Sequence, residues 1–163
     1  MKARNLLLVL CLCAASTAVM AQDDGLGYHS WGVRLGFADS DGTNQVMGGV
    51  QFDLGEIARH LRLKPNAELG FGDEYKTVMA NAPLHYMFRG PRMSPYAGGA
   101  ATISYVDVDS SVPGSDDGGS LGFGVKAIGG LEWQLRKGNQ FFTELNLGFG
   151  DVHDVQLMAG WVF

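Results

Sequence analysis

From Leu121 to Leu135 the chain alternates without a break. Leu121, Phe123, Val125, Ala127, Gly129, Leu131, Trp133 and Leu135 form one set, nearly all apolar. Between them stand Gly122, Gly124, Lys126, Ile128, Gly130, Glu132 and Gln134, nearly all small or polar. Successive side chains of a strand point to opposite faces, so a period of two gives one apolar face and one small or polar face. The same period predicts seven further strands. Their apolar sets are Trp31, Val33, Leu35, Phe37; Val46, Gly48, Val50, Phe52, Leu54; Leu63, Pro65, Ala67, Leu69, Phe71; and Ala80, Ala82, Leu84, Tyr86, Phe88. A weaker set, Ala97, Gly99, Ala101, Ile103, Tyr105, is followed by Phe141, Thr143, Leu145, Leu147, Phe149 and by Val155, Leu157, Ala159, Trp161, Phe163. No window after the first residues holds a helical period, so the chain is all-β.

The first 21 residues stand outside this pattern. Lys2 and Arg4 precede an apolar stretch from Leu6, and Val19-Met20-Ala21 offers small residues for cleavage, the layout of a secretory signal. Residues 1–21 are therefore expected to be removed after Ala21, leaving 22–163 as one domain. Both cysteines, Cys11 and Cys13, lie in the signal and each follows a leucine, which argues against lipidation and leaves the mature chain without a thiol. Loss of Lys2 and Arg4 takes the formal charge from −5 to −7. An acidic chain without a basic stripe is not expected to bind nucleic acid.

The strand ends repeat a short motif. "LGFGD" occurs at Leu69–Asp73 and Leu147–Asp151, "LGFAD" at Leu35–Asp39, and Ile103–Asp107 keeps the same apolar, small, aromatic, any, acid order. The aromatics Phe37, Phe71, Tyr105 and Phe149 are 34, 34 and 44 residues apart, the spacing of successive hairpins with one longer excursion. Odd strands thus reach one rim of a closed up-and-down sheet. Even strands carry Phe52, Tyr86, Phe88, Trp133, Trp161 and Phe163 toward the other rim. Two aromatic girdles bounding an apolar band, on strands of about ten residues, predict an eight-stranded antiparallel up-and-down transmembrane β-barrel. Charge sorts the same way. Loops after odd strands hold Asp39, Asp41, Asp73, Glu74, Asp107, Asp109, Asp116, Asp117, Asp151 and Asp154 with Lys76 as the single base, whereas Glu56, Arg59, His60, Arg62, Arg89, Arg92, Arg136 and Lys137 lie after even strands.

With these features the chain resembles the small eight-stranded outer-membrane barrels of Gram-negative bacteria, the OmpA-like transmembrane barrels. Its most specific match is the terminus, where Val155, Leu157, Ala159, Trp161 and the final Phe163 look like that family's assembly signal. The resemblance implies recognition by the barrel-assembly machinery, residence in the outer membrane, contact with lipid and lipopolysaccharide, acidic loops outside the cell and basic turns in the periplasm. It also implies a monomer with a structural, envelope-integrity or surface-interaction role. A peptidoglycan-binding domain is not expected after the barrel. The alternative of a soluble, lipocalin-like carrier would turn the apolar face inward. Against it, the other face, with Gly32, Gly36, Gly49, Gly70, Gly122, Gly124, Gly130 and Gly148, is too small and too sparsely charged for an ordinary solvated surface.

If that face is the lumen, it contains Arg34, Lys64, Glu68, Lys126, Glu132 and Glu144, with Asn66, Asn81, His85, Gln134, Asn146 and Gln156. Buried charges must be paired, and Arg34 and Lys126 have Glu68, Glu132 and Glu144 as possible partners. Such a network is either a static plug or a re-pairing gate that turns the lumen into a narrow pore for water, ions or small solutes. A loop cation site at Asp107, Asp109, Asp116 and Asp117 would have hard oxygen ligands but lacks the EF-hand spacing, and a solvated loop is the simpler reading. No His, Cys, Asp and Glu spacing predicts a resident metal, and no cofactor motif is present. Lipid A-modifying catalysis is not expected. The deacylase-type His-x-Ser pair is absent, and His153 with Asp109-Ser110 or Asp39-Ser40 is a pairing that chance supplies easily.

Overall fold

The computed structural model describes residues 25–40, 42–72, 75–88, 90–108, 119–135 and 138–163. Its strands are β1 (Ser30–Ser40), β2 (Thr43–Asp53), β3 (Glu56–Ala58), β4 (Leu61–Leu63), β5 (Asn66–Phe71), β6 (Tyr75–Met87), β7 (Met93–Val108), β8 (Ser120–Gln134), β9 (Gln140–Gly150) and β10 (Val155–Val162). All pairings are antiparallel and run in one cycle, from β1 through β2, β5, β6, β7, β8 and β9 to β10, which pairs back with β1. The sheet has no open end. It is a closed barrel of eight strands, two of them in pieces.

Both breaks lie in the second hairpin. β3 continues β2 past Leu54-Gly55, and β4 and β5 flank Lys64-Pro65, whose proline cannot donate to a ladder. Backbone bonds span the breaks, Phe52 N–H to Pro65 O at 2.9 Å and Leu54 N–H to Leu63 O at 3.0 Å, so the pairing is bent rather than lost. Gly55 takes φ +81°, and a side chain there would run into His29. The tight turn beyond β3 puts His60 at φ 65°, a left-handed conformation that only a minority of non-glycine residues adopt.

Burial follows the parity read from the sequence. Leu35, Phe37, Leu69, Phe71, Phe123, Phe149 and Leu157 are each 48 to 67% exposed, and every barrel strand adds apolar residues to this outward band. A soluble monomer does not leave so large and continuous an apolar surface in water. The transmembrane reading therefore matches the outside, and the inverted carrier arrangement does not. At one rim Phe37, Phe71 and Phe149 stand outward and Tyr105 is half-buried. At the other, Trp31 stacks on Phe163 with centroids 5.0 Å apart, Phe141 lies between Trp133 and Trp161 at 5.6 and 6.5 Å, and Tyr86 meets Phe88 at 5.1 Å. Trp31 and Phe141 thus join Phe52, Tyr86, Phe88, Trp133, Trp161 and Phe163 in this girdle. Val155, Leu157, Ala159 and Trp161 alternate outward along β10, and Phe163 N–H bonds Trp31 O at 2.9 Å. The segment expected to be a signal, residues 1–21, lies outside the described residues.

Candidate functional site

The inward face is less uniformly small than the sequence suggested. Met47, Met79, Met87, Tyr96, Ile128, Phe142 and Met158 are buried there with the glycines. Register explains how both fit. Phe142 faces Gly160 across the ladder, Tyr96 faces Gly130, Met47 faces Gly36 and Gly70, and Arg34 faces Gly49 and Gly160. A Cβ added at Gly160 or Gly130 would collide with the Phe142 or Tyr96 ring. Large side chains occupy space that their glycine neighbours leave open.

Arg34 on β1 is the centre of the polar filling. Its Nη2 lies 2.6 Å from Glu144 Oε1, its Nε 2.8 Å from Glu68 Oε1, and Nη1 donates to Gln51 Oε1 at 3.4 Å. The guanidinium sits over the Phe142 ring, 5.7 Å from its centroid. Glu144 also accepts from the Tyr96 hydroxyl and the Asn146 amide, each at 3.0 Å, and His85 Nε2 stands 3.7 Å away while its ring stacks on Tyr96. Glu68 accepts from Gln156 Nε2 at 2.9 Å, and Lys126 Nζ is 3.6 Å from Glu68 Oε2 while donating to Gln156 Oε1 at 2.9 Å. Gln156 therefore bridges the two. One arginine, one lysine and two glutamates share a network in which each carboxylate meets several donors, the condition under which buried charge is tolerated.

Glu132, a possible partner of Arg34 or Lys126 in the sequence, pairs with neither. It is 2.5 Å from Lys64 Nζ, in a separate cluster where Lys64 also lies 3.9 Å from Asp53 and Arg62 Nη2 lies 2.7 Å from Asp53 Oδ2. Asp53 and Arg62 were not on the expected luminal list. Asp53 has the inward parity of Gln51, but its place at a strand end hid it, and Arg62 reads in sequence as one more basic turn residue. Gln134 is exposed at the end of β8, because the strand has left the barrel interior there. Asn66, Asn81 and Thr102 form a third chain of bonds, each 2.7 Å. Among the described residues, buried Arg34, Lys64 and Lys126 with half-buried Arg62 match Asp53, Glu68, Glu132 and Glu144 in number.

Of the proposed loop cation site only Asp107 lies within the described residues, exposed on β7; Asp109, Asp116 and Asp117 lie outside them. Among the described residues no three His, Cys, Asp or Glu are placed to hold a metal ion. His153, the one histidine at the acidic rim, gives Nε2 to Gln45 Oε1 at 2.7 Å, and the nearby Ser104 hydroxyl donates to the Asp151 carbonyl at 2.7 Å.

No protein-family model and no curated protein matches the chain. Solved structures do. Neisserial surface protein A superposes with a TM-score of 0.65 at 14% identity, covering 83% of this chain and 94% of that one. The N-terminal β-barrel domain of Pseudomonas aeruginosa OprF gives 0.62 at 11% identity, covering 82% and 96%. The fold is that of the small eight-stranded outer-membrane barrels. A designed transmembrane β-barrel, with a TM-score of 0.50 at 16% identity over 88% of this chain and 100% of that one, shares the architecture. Identities this low speak for the barrel and leave its role to the residues of this chain.

Proposed function

We propose that this chain is an integral outer-membrane barrel whose role is structural or interactive, maintaining the envelope and presenting an acidic rim at the cell surface, with a polar lumen closed at rest. The observation that carries this reading is the combination of a lipid-compatible exterior with an interior filled by the Arg34, Glu68, Glu144, Gln156 and Lys126 network. An eight-stranded barrel has an interior just wide enough for side chains to fill, so a filled lumen is its resting expectation. The chain would fold on the barrel-assembly machinery, act as a monomer, and contact lipopolysaccharide through its outer rim. Fractionation followed by electrophoresis with and without boiling tests this. The expected species is membrane-bound and migrates differently unboiled; a soluble species with no shift would overturn it.

A narrow gated pore is the second reading, and one observation favours it. Lys126 stands 3.6 Å from a Glu68 whose other oxygen is held by Arg34, so a shift of Glu68 from Arg34 toward Lys126 would open the centre. Planar-bilayer recordings on folded protein decide this. Silent bilayers for the wild type and for Glu68→Gln support the plug, whereas brief openings that lengthen in Glu68→Gln support the gate.

A further inference from the structure

The cations of the lumen are paired, but Arg59 and Arg92 are not. Both are exposed at the rim opposite the acidic loops, and among the described residues neither meets a carboxylate. The acids nearest in sequence to Arg59 are engaged elsewhere. Asp53 Oδ2 holds Arg62 Nη2 at 2.7 Å, and Glu56 Oε2 accepts the His60 backbone N–H at 3.3 Å.

The barrel wall fixes where these two bases stand. Arg59 precedes His60 in the turn between β3 and β4, and the His60 carbonyl accepts from Met87 N–H at 2.8 Å. That bond ties the turn to β6, and the His60 ring lies 5.9 Å from the ring of Tyr86. Arg92 ends the turn between β6 and β7. Its carbonyl accepts from Gln134 N–H at 3.1 Å, and the next residue, Met93, faces Trp133 across the ladder. Arg92 therefore stands between two aromatic runs, Tyr86 with Phe88 on β6 and Trp133 with Phe141 and Trp161 on β8 to β10.

Aromatic residues of a barrel girdle mark the level of the lipid headgroups. An unpaired guanidinium at that level has phosphate within reach, and its planar fork binds phosphate through two parallel hydrogen bonds. A zwitterionic headgroup carries its own ammonium beside the phosphate, whereas an anionic one leaves a charge for the protein to meet. Resting on the outer-membrane reading above, we infer that Arg59 and Arg92 form a binding surface for anionic phospholipid in the leaflet at this rim. The guanidiniums take the phosphate, and the acyl chains lie on Tyr86, Phe88 and Trp133. Charge alone would also suit an acidic protein. The lipid is the better fit because both bases stand beside exposed apolar rings rather than on long loops reaching into water.

All three tryptophans, Trp31, Trp133 and Trp161, belong to this girdle, so quenching of their fluorescence by brominated lipid reads the lipid bound at this rim. The full barrel is refolded into vesicles that mix phosphatidylglycerol with phosphatidylcholine, one or the other brominated. The expected preference for phosphatidylglycerol is about fivefold, the factor that one base near an anionic surface supplies. It should vanish when Arg59→Gln and Arg92→Gln are combined, and stay unchanged in Lys76→Gln, which alters an exposed base at the acidic rim. Salt of about 1 M should remove it from the wild type too, a check that does not depend on any variant folding. Equal affinity for the two lipids, or a preference that survives the double change, would overturn the proposal. Equal affinity together with saturable binding of poly-glutamate to the detergent-folded barrel would assign the bases to an acidic protein instead. Absence of quenching by either lipid would overturn the membrane reading itself.

Discussion

Glu144 shows most directly how single residues hold this molecule together. It faces the Arg34 guanidinium, the Tyr96 hydroxyl and the Asn146 amide at once. Glu144→Ala would leave a buried cation short of its counter-ion and is expected to destabilise the barrel by about 3–5 kcal/mol. Glu144→Gln keeps acceptor capacity and should cost less. Urea titration followed by tryptophan fluorescence in lipid vesicles measures both. His153, outside the membrane-spanning strands, carries a different prediction. Burial first, then the positive Lys126, lowers its pKa to about 4, against the opposing Glu68 and Asp154. The unfolded chain would take up the proton near the ordinary 6.5 while the folded loop does not, so this stabilisation is complete above about 6.5 and is lost as pH falls toward 4. Hydrogen exchange in residues 151–154 should therefore lose protection at pH 4.5 relative to pH 7, beyond the intrinsic rate change. His153→Gln should abolish the difference.

At the level of strands, the decisive arrangement is the pairing of large luminal side chains with glycines one ladder step away. Phe142 against Gly160 and Tyr96 against Gly130 are direct cross-strand neighbours. Gly160→Val would drive methyl groups into the Phe142 ring and displace Arg34 above it, an overpacking cost of about 1–3 kcal/mol. The same change at Gly129, which faces outward with nothing near its Cβ position, should leave the urea midpoint nearly unchanged. The strands themselves were legible because alternation depends only on neighbours along the chain. Gln134 shows where that rule stops: parity assigns a face, but only the barrel wall decides whether the face is still inside. The bend at Leu54-Gly55 was hidden for a related reason, since it shifts register without breaking the apolar pattern.

Across the whole molecule, the sequence named six charged residues of the lumen but missed Asp53 and Arg62 and left the pairings open. Glu132 and Glu144 lie on adjacent strands with the same inward parity, yet one meets Lys64 and the other Arg34. Strand tilt and stagger decide which inward residues stand level, and these are properties of the closed barrel rather than of any segment. His153 was set aside for the complementary reason. Val152 and His153 are both buried in succession, which no period-two reading of a loop anticipates. Rim aromatics, by contrast, were legible because a membrane imposes the same order on every strand that leaves it.

The seam between β1 and β10 bears on how the barrel comes into being. Gly32 pairs with Val162 and Asp39 with Val155, contacts between strands far apart in sequence, and Arg34 reaches Glu144 over 110 residues of separation. Until that seam forms, two strand edges lie open, and in hydrocarbon each unpaired backbone group costs several kcal/mol. Partly assembled forms are therefore strongly disfavoured in the bilayer. Closure of the wall and neutralisation of its interior become a single event, slow to nucleate because of the long loop it must close, and equally slow to reverse.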